Sequence, residues 1–557
     1  MNLLSDYLDR VEFDSYEDFR DNFHINVPDD FNFGFDVVDK YAAIAPEKKC
    51  LVWCNDEGEA RTFTYAEMKT LTDKAANFFR SLGIKKGDTV MLILQRHYEF
   101  WISIIALHKL GAVTVPATHL LTKKDIVYRV NAADIKMVVC TGKSEVYEHV
   151  EAAEPECPTL KLKILTGRQK RGGWLSFDEG LEAAPDAFDR GADKTVSKDP
   201  MLMYFTSGTT GYPKMVLHTF DYPLGHITTA KYWQDVRDDC LHLTVADTGW
   251  GKAVWGKLYG QMIAGAVVFV YDYSSKFHPT DLLEKIQQYR ITTFCAPPTI
   301  YRFFIKNDIS HYDLSSLEHC SIAGEPLNPE VYNQFLAATG QKLYEGFGQT
   351  ESSVSLATFK WDEPRPGSMG KPCAGYHAVL LNDDLTECDP GQTGQIAFRI
   401  TDGKPMGVFK EYYRDQERTD SVLHDGYYFT GDLAWCDEDG FFWYVGRADD
   451  VIKSSGYRIG PFEVESALLE HPAVFETAIT AVPDEIRGQV VKATIKLTAG
   501  YQPSEELKKE LQNHVKQSTA PYKYPRIIEF VDELPKTISG KIRRVQIREE
   551  DQAKQQQ

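Results

Sequence analysis

The chain has 557 residues, 43% of them apolar, and a formal net charge of −19. This apolar content supports large hydrophobic cores and excludes a wholly disordered chain. The negative charge argues against a nucleic-acid partner, which would need a basic face, and against adhesion to an anionic membrane surface. By length alone, the chain should form roughly three to four compact units.

The N-terminus and the cysteines bear on the location of the protein. Residues 1–10 are acidic and lack the basic segment and apolar run of a signal peptide. The most apolar stretches, 100–117 and 262–271, are interrupted by His108 and Lys109 or are too short to span a bilayer. The ten cysteines are dispersed without a Cys-x-x-Cys pair, which fits a reducing compartment and disfavours structural zinc. We therefore expect a cytoplasmic protein without a membrane span.

Helix and strand patterns alternate over the first two thirds of the chain. Between residues 65 and 116 the order is helix, strand, helix and strand, with Thr64 as a candidate cap for the first helix. Similar runs cover 125–166 and 241–323. This alternation predicts parallel βαβ units. From about residue 370, short strands alternate with Gly, Pro and Asp turns, which predicts a smaller β-rich subdomain.

The predicted fold is therefore α/β with two domains of unequal size. A large N-terminal domain, residues 1–448, combines the βαβ subdomains with the β-rich subdomain at about 370–448. A compact α+β pattern beyond it predicts a small C-terminal domain, residues 449–557.

The segment at 204–216, YFTSGTTGYPKMV, has the composition of a phosphate-binding loop between two short strands. Glycines let the backbone fold around an anion, hydroxyl and N–H groups then point inward, and Lys214 adds a positive charge. The segment is not a Walker motif, because its spacing differs and Met215 follows the lysine. An ordinary polar turn remains the alternative. The predicted phosphate-binding residues are Thr206, Ser207, Gly208, Thr209, Thr210, Gly211 and Lys214.

Two further segments suit an adenine nucleotide. The sequence AGEP at 323–326 forms a tight loop that can lie flat against a heterocycle, although a plain turn is the alternative. The segment YEGFGQTE at 344–351 offers the Phe347 ring for stacking and the Glu351 carboxylate for Mg²⁺. The alternative for Glu351 is a role in a salt bridge or a helix cap. The predicted nucleotide contacts here are Gly324, Glu325, Pro326, Glu345, Gly346, Phe347, Gly348, Gln349 and Thr350.

Two charged side chains complete the set of candidates. Asp432 lies among small and apolar residues, where a partly buried carboxylate needs donors such as ribose hydroxyls. A turn aspartate that bonds its own backbone is the alternative. Lys541 ends the Ser-Gly turn of 535–541, from which it can reach into a cleft. For a lone lysine, a solvated surface charge is the usual interpretation.

Taken together and in order, these segments resemble the signatures of the adenylate-forming enzymes. That family contains acyl-CoA synthetases, peptide-synthetase adenylation domains and firefly-type luciferases. The resemblance extends over about residues 35–548 and is strongest to the medium-chain acyl-CoA synthetases. It implies that Lys541, Thr206 and Glu351 are catalytic, and that Asp432 binds the ribose with Arg447 beside it. It also implies that Asp449 is the hinge of a mobile C-terminal domain.

The resemblance implies a ligase reaction in two steps. A carboxylate first attacks the α-phosphorus of ATP, with Mg²⁺ on Glu351 and with Lys541 bridging the two anions. Coenzyme A then displaces AMP from the acyl-adenylate and gives the thioester. The resemblance also allows a homo-oligomer, and control of the enzyme by acylation of Lys541.

Coenzyme A and the acyl group have their own predicted contacts. By resemblance to the medium-chain synthetases, coenzyme A is assigned to Ser455, Gly456, Tyr457, Arg487, Tyr524, Pro525 and Arg526. The predicted acyl pocket comprises Trp250, Gly251, Lys252, Trp255, Gly348 and Arg458. Acetyl-specific relatives carry a tryptophan at the position of Gly348, so its absence is expected to free volume for a longer or branched chain. Short branched, medium straight-chain and aryl acids all remain open.

Three other functions share some of these motifs. A carrier-protein loading enzyme is disfavoured, because 455–458 and 522–526 match coenzyme A ligases and no carrier domain is attached. A luciferase-like oxygenase would share the first step and would show oxygen dependence. A non-enzymatic nucleotide-binding protein would be expected to lose Lys541, Asp432 or Glu351, and all three are present.

Overall fold

Three β-sheets organise the computed structural model, which describes residues 2–167, 170–206, 213–274, 277–455, 457–484, 486–536 and 542–555, with the backbone alone at Arg458 and Gln555. The strands are β1 Lys49–Asn55, β2 Ala60–Thr64, β3 Thr89–Ile93, β4 Val113–Pro116, β5 Met137–Thr141, β6 Leu162–Thr166, β7 Leu175–Ser176, β8 Pro200–Thr206, β9 Lys214–Thr219, β10 Leu241–Thr244, β11 Val267–Asp272, β12 Thr293–Ala296, β13 His319–Ala323, β14 Leu343–Gly348, β15 Val354–Ala357, β16 Ser368–Pro372, β17 Ala378–Leu381, β18 Thr393–Arg399, β19 Glu411–Tyr412, β20 Leu423–His424, β21 Tyr427–Cys436, β22 Phe442–Arg447, β23 Ile452–Ser454, β24 Tyr457–Ile459, β25 Val474–Asp484, β26 Gly488–Leu497 and β27 Ile527–Phe530.

Helices cover the sheets of both domains. They are α1 Tyr16–Asn22, α2 Lys40–Ile44, α3 Tyr65–Ser81, α4 Glu99–Leu110, α5 Lys123–Ala132, α6 Val146–Ala153, α7 Phe177–Ala183, α8 Tyr222–Ile227, α9 Gly251–Lys257, α10 Tyr259–Ile263, α11 Pro279–Tyr289, α12 Pro298–Ile305, α13 Pro329–Thr339, α14 Gln416–Asp420, α15 Pro461–Leu469, α16 Glu505–Ser518 and α17 Arg544–Gln555. In the part of the chain that the structure describes, none of them is long and apolar enough to cross a bilayer.

The eight-stranded sheet has the order β19-β9-β8-β4-β3-β5-β6-β7. Its central strands β4, β3, β5 and β6 are parallel, as the βαβ pattern predicts. Strands β3 and β5 are buried along their whole length, which explains their continuous apolar sequences. The first predicted helix begins where expected, because Thr64 and Glu67 form a capping box at the start of α3.

The fourteen-stranded sheet joins the second βαβ run to the β-rich segment. Strands β11, β10, β12, β13 and β14 are parallel neighbours. Beyond β14 the pairing becomes antiparallel through β15, β16, β22, β21, β18 and β17. The strands predicted after residue 370 therefore continue the large sheet. They place β21 and β22 in the same sheet as β14.

The C-terminal domain has its own sheet, with β25 and β26 as a long antiparallel pair and β27 parallel to β26. Helices α15 and α16 pack on this sheet around a core that includes Val464, Leu468 and Leu511. Ser504 caps α16 by accepting a hydrogen bond from the N–H of Leu507 at 3.0 Å. The mixed α/β fold with a large N-terminal and a small C-terminal domain is thus confirmed.

Candidate active site

The predicted nucleotide segments lie where strands of the two large sheets end. The AGEP loop follows β13, the residues up to Gly348 form β14, and Gln349 and Thr350 come directly after it. In the other sheet, β8 and β9 form the predicted hairpin, with Thr206 paired to Lys214 at its tip. The carboxyl ends of parallel strands are the usual position of ligand sites in such sheets.

Not every predicted residue can be placed. Ser207, Gly208, Thr209, Thr210, Gly211, Gly456 and Lys541 lie outside the described residues, as does the side chain of Arg458. The predicted phosphate-binding loop and the predicted catalytic lysine are therefore represented by the residues that flank them, Thr206 with Lys214 and Lys536 with Ile542.

Glu351 forms the centre of a small polar cluster. Tyr412 donates its hydroxyl hydrogen to Glu351 Oε1 at 2.9 Å, and Lys214 Nζ is 3.8 Å from the same oxygen. Lys214 Nζ also donates to the Tyr412 hydroxyl oxygen at 3.2 Å. Burial lowers the pKa of Lys214, while the charge of Glu351 opposes that shift. The structure thus connects the end of the predicted phosphate loop to the predicted metal ligand.

Tyr412 did not emerge from the sequence as a functional residue. It reaches the cluster because β19 pairs with β9, in the register Tyr412 with Val216. Burial raises the pKa of the Tyr412 hydroxyl, and the charge of Glu351 raises it further, so this group stays protonated and acts as a donor. An isolated tyrosine in a short strand gives no sequence signal for this role.

The cluster suits Mg²⁺ that arrives with a nucleotide. Within the described residues, no group of three His, Cys, Asp or Glu side chains is arranged to hold a metal ion without other ligands. Mg²⁺ in nucleotide sites takes one or two carboxylates and completes its shell with phosphates and water. Glu351, a residue that is 8% exposed, lies beside the hairpin of Thr206 and Lys214 and fits this pattern, so Mg²⁺ at Glu351 stays a prediction.

Asp432 is held in one orientation by Gln349, which follows β14, and by two side chains of β22. Gln349 Nε2 donates to its Oδ2 at 2.5 Å, the Tyr444 hydroxyl donates to its Oδ1 at 3.2 Å, and Arg447 Nη1 lies 3.5 Å from Oδ2. Gly431 has φ +74°, and a Cβ atom there would meet Arg447 Nη2 at 2.9 Å. A glycine is thus required before Asp432, and the predicted pair of Asp432 and Arg447 does meet.

The AGEP loop is fixed by contacts on both sides. Thr299 donates its hydroxyl hydrogen to Glu325 Oε2 at 3.0 Å, and Lys252 Nζ donates to the carbonyl of Ala323 at 2.7 Å. Gly324 has φ +107°, a conformation that favours glycine. Lys252, predicted for the acyl pocket, therefore extends to the nucleotide loop and is not a surface lysine.

Glu345 lies beneath this loop with its carboxyl group buried. Its Oε1 accepts a hydrogen bond from the N–H of Leu327 at 3.2 Å. Burial raises the pKa of Glu345 from 4.5 to about 8, and that hydrogen bond opposes the shift only in part. Glu345 is accordingly neutral at pH 7 and brings no negative charge to the predicted nucleotide site.

His218 is a second residue that the sequence did not indicate. Its Nε2 donates to the carbonyl of Thr350 at 2.8 Å, and its ring stacks on Tyr222 with centroids 3.8 Å apart. Burial lowers the pKa of His218 to about 3, so the imidazole is neutral and carries its proton on Nε2. Its role is to hold the backbone of Thr350 in place beside Glu351.

The expectation that Gly348 frees volume in the acyl pocket needs correction. A Cβ atom on Gly348 would lie 2.3 Å from Trp255 Cη2 and 2.5 Å from the carbonyl oxygen of Ser353. The Trp255 indole and the Ser353 backbone therefore occupy the space directly next to Gly348. On the other side of the pocket, a Cβ atom on Gly251 would lie 3.8 Å from Thr350 Cγ2, which places the start of α9 next to the predicted phosphate contact.

Several predicted coenzyme A residues meet on the C-terminal domain. The Ser455 N–H donates to the carbonyl of Arg487 at 3.0 Å, and Ser455 has φ +50°. The Tyr457 ring stacks on Tyr522, with centroids 4.1 Å apart, and is 51% exposed. Arg526 Nη1 donates to the Tyr524 hydroxyl oxygen at 2.7 Å, and the carbonyl of Pro525 accepts from Gln512 at 3.0 Å.

The segment between β22 and β23 joins the two domains. Arg447 Nε lies 3.6 Å from Asp449 Oδ1, and the Ala448 N–H donates to the carbonyl of Gly431 at 2.9 Å. The next residue, Asp450, forms an ion pair with Arg548 of α17. The predicted hinge residue is thus next to the ribose pair on one side and to the C-terminal domain on the other.

Family models match both parts of the chain. The model described as "AMP-binding enzyme" matches residues 38–413, and that described as "AMP-binding enzyme C-terminal domain" matches residues 463–541. The chain belongs to the AMP-binding enzyme family.

Named relatives and solved structures agree with this assignment. Acyl-coenzyme A synthetase ACSM4, mitochondrial, of Rattus norvegicus is 43% identical over 94% of this chain and 91% of its own length. ACSM3, mitochondrial, of Mus musculus is 40% identical over 97% and 94%. The anthranilate CoA ligase AuaEII, solved with anthranoyl-AMP, is 28% identical, with a TM-score of 0.87 and coverage of 95% and 99%. The predicted class, an AMP-forming acyl-CoA ligase similar to medium-chain synthetases, is confirmed.

The expected cytoplasmic location of this AMP-binding enzyme is wrong. The synthetases that the chain matches at 40–43% identity are named as mitochondrial proteins. Dispersed cysteines indicate only a reducing environment, which several compartments provide, and so they could not decide the location.

The buried Glu345 predicts a pH-dependent contribution to stability. Between pH 5 and 8 the folded protein keeps a proton that the unfolded chain has released, so the free energy of unfolding falls as pH rises. The glutamine in Glu345→Gln cannot titrate, so the variant should lack this decrease in the free energy of unfolding. The melting temperature of the variant minus that of the wild type should therefore increase from pH 5 to pH 8. A difference that stays constant over this range would show that Glu345 is not protonated in the folded enzyme.

Proposed function

We propose that this AMP-binding enzyme activates a compact carboxylic acid with ATP and transfers the acyl group to coenzyme A. The observation that carries the proposal is that α9, which contains three of the predicted acyl-pocket residues, lies against the predicted nucleotide segments. Lys252 reaches the carbonyl of Ala323, and Gly251 faces Thr350. An acid bound against α9 would therefore have its carboxylate beside the proposed α-phosphate contact.

The first step must bring two anions together, so alignment and charge neutralisation are the main tasks. Thr206 and Lys214 are proposed to hold the phosphates that leave as pyrophosphate, and Glu351 would hold the Mg²⁺ that accompanies the nucleotide. When bound, Mg²⁺ would neutralise charge on the phosphate oxygens. Tyr412 would keep the Glu351 carboxylate in position, since its hydroxyl donates to Oε1 at 2.9 Å.

The adenosine part of ATP has three proposed supports. Phe347 and the AGEP loop are proposed to enclose the adenine, and Asp432 to accept from the ribose hydroxyls. Gln349, Tyr444 and Arg447 fix the Asp432 carboxylate for this role. The neutral Glu345 beneath the loop avoids repulsion of the nucleotide, because its pKa is raised to about 8.

The second step requires coenzyme A to reach the acyl-adenylate. Ser455, Arg487 and the stacked pair of Tyr457 and Tyr522 are proposed to bind it. Lys523 Nζ lies 5.6 Å from the Tyr522 ring, and an exposed aromatic pair beside a cation suits a nucleotide with phosphates. We propose that Asp449 is the hinge about which the C-terminal domain turns between the steps. Its place between β22 and β23, at the ends of two elements, is typical of a hinge.

The overall reaction is tested by measuring AMP release from ATP across a panel of carboxylic acids, with and without coenzyme A. The proposal expects acid-dependent AMP release that rises strongly with coenzyme A and matches thioester formation mole for mole. AMP release that does not depend on coenzyme A, or acyl transfer to an added carrier protein, would favour a carrier-loading enzyme instead.

Lys541→Ala tests the proposed catalytic lysine. Without its ammonium group, acid-dependent ATP–pyrophosphate exchange should fall by about 10²–10³-fold, because one preorganised positive group is lost from the transition state. Thioester formation from supplied acyl-adenylate and coenzyme A should continue at nearly the wild-type rate. An equal loss in both half-reactions would refute a role confined to the first step.

Trp255 is expected to limit the length of the acid. Replacing it by leucine opens the space beside Gly348, so kcat/KM for a straight eight-carbon acid relative to a branched four- or five-carbon acid should rise by about tenfold or more. Trp174→Leu is a matched control, since that indole contacts Glu151 and Lys163 at the edge of the eight-stranded sheet. An unchanged ratio in Trp255→Leu would place the end of the pocket elsewhere.

A further inference from the structure

A small seam joins the C-terminal domain to the side of the AMP-binding domain, and it consists of Lys306, Asn328, Ser466 and Phe475. Lys306 Nζ lies 4.5 Å from the centroid of the Phe475 ring. Asn328 Nδ2 donates to the carbonyl of Ser466 at 3.2 Å. Lys306 follows α12 and Asn328 caps α13, while Ser466 and Phe475 lie in α15 and β25.

The strand at this seam also supports the base of the loop that carries Lys541. Glu476, next to Phe475, pairs with Lys536, whose Nζ lies 2.9 Å from Oε1. Lys536 and Ile542, on either side of that loop, form an antiparallel bridge. The seam therefore fixes the strand to which both ends of the catalytic loop are attached.

A half-buried cation, Arg302 on α12, lies at the same boundary. Burial lowers its pKa, and the charges of Glu325, Glu476 and Glu465 oppose that shift. Glu325 belongs to the AGEP loop, so carboxylates of both domains act on one guanidinium. This charge arrangement depends on the orientation in which the two domains meet.

The proposed coenzyme A surface faces solvent in this orientation. The Tyr457 ring is 51% exposed and stacks on Tyr522 of the same domain, and the nearby Ile486 side chain is 88% exposed. In this orientation Glu476, which pairs with Lys536 at the base of the lysine loop, acts electrostatically on Arg302 of the AMP-binding domain, while Tyr457 of the second step is turned outward. It is the arrangement that acyl-adenylate formation needs.

We propose that Lys306 and Asn328 are positioning residues for acyl-adenylate formation, because they hold the C-terminal domain in this orientation. The inference rests on the proposed two-step function. One cation–π contact and one hydrogen bond are weak enough to be broken in every turnover, yet they bias the population of the two orientations. Neither residue is expected to touch the substrates.

Two variants remove these contacts with little other change. Lys306→Ala removes the cation from the Phe475 ring. Asn328→Asp removes the Nδ2 donor but keeps the Oδ1 atom that accepts from the Glu330 N–H at 2.7 Å, so the cap of α13 persists. The matched control is Lys496→Ala, because Lys496 Nζ lies 5.5 Å from the same ring but belongs to the C-terminal domain itself.

The test compares the two half-reactions in the full-length enzyme. In Lys306→Ala and Asn328→Asp, acid-dependent ATP–pyrophosphate exchange should fall by about five- to twentyfold. The reason is that a smaller fraction of the enzyme would hold the orientation needed for acyl-adenylate formation. Thioester formation from supplied acyl-adenylate should be unchanged or faster. Lys306→Arg should restore exchange, since a guanidinium also binds an aromatic face.

The inference is overturned if the ratio of the two half-reactions in Lys306→Ala equals that in Lys496→Ala, or if both half-reactions fall together. That failure is distinct from failure of the proposed function. If the wild type catalyses neither half-reaction with any acid in the panel, the two-step function is refuted. If the wild type catalyses both half-reactions and Lys306→Ala has the same ratio of the two rates as the wild type, the role of the seam is refuted.

Discussion

The site is organised around the meeting of two anions, a carboxylate and a nucleotide phosphate, which repel each other until positive groups surround them. Among the described residues, Lys214 brings a positive charge to the proposed phosphate site, and Tyr412 and Glu351 contact it and each other at 2.9, 3.2 and 3.8 Å. The tyrosine matters because it joins an acid and a base that come from different sheets. His218 fixes the adjoining Thr350 carbonyl without adding charge, since burial keeps its imidazole neutral.

The same constraint explains why the fold has two domains. Helices and strands of the large domain can hold the phosphates and the ribose. An enzyme that uses a lysine in the first step and a thiol in the second must bring each of them in turn to the same position beside the acyl group. The predicted catalytic lysine and the predicted coenzyme A residues all belong to the C-terminal domain, so the proposed rotation of that domain about Asp449 would exchange them. On this proposal, contacts across the boundary, such as Lys306 with Phe475, decide which step the resting enzyme is prepared for.

The sequence predicted those features that depend on local residue order. The motif segments and the βαβ pattern were recognisable because glycines, hydroxyls and charges recur at short spacings and because buried parallel strands are continuously apolar. Tyr412 and His218 could not be found in this way, since pairing of β19 with β9 brings Tyr412 to the site and His218 reaches the distant Thr350 by a hydrogen bond. The volume beside Gly348 was misjudged for a similar reason, because the indole of Trp255 arrives from α9.

The dependence of ATP–pyrophosphate exchange on Mg²⁺ tests the central claim, that Glu351 holds the metal of the leaving phosphates. Glu351→Gln keeps an oxygen acceptor for the Tyr412 hydroxyl but removes the charge, whereas Tyr412→Phe keeps the carboxylate. The account predicts that the Mg²⁺ concentration for half-maximal exchange rises by about tenfold or more in Glu351→Gln relative to the wild type. In Tyr412→Phe it should rise much less. The same Mg²⁺ dependence in Glu351→Gln and the wild type would contradict it.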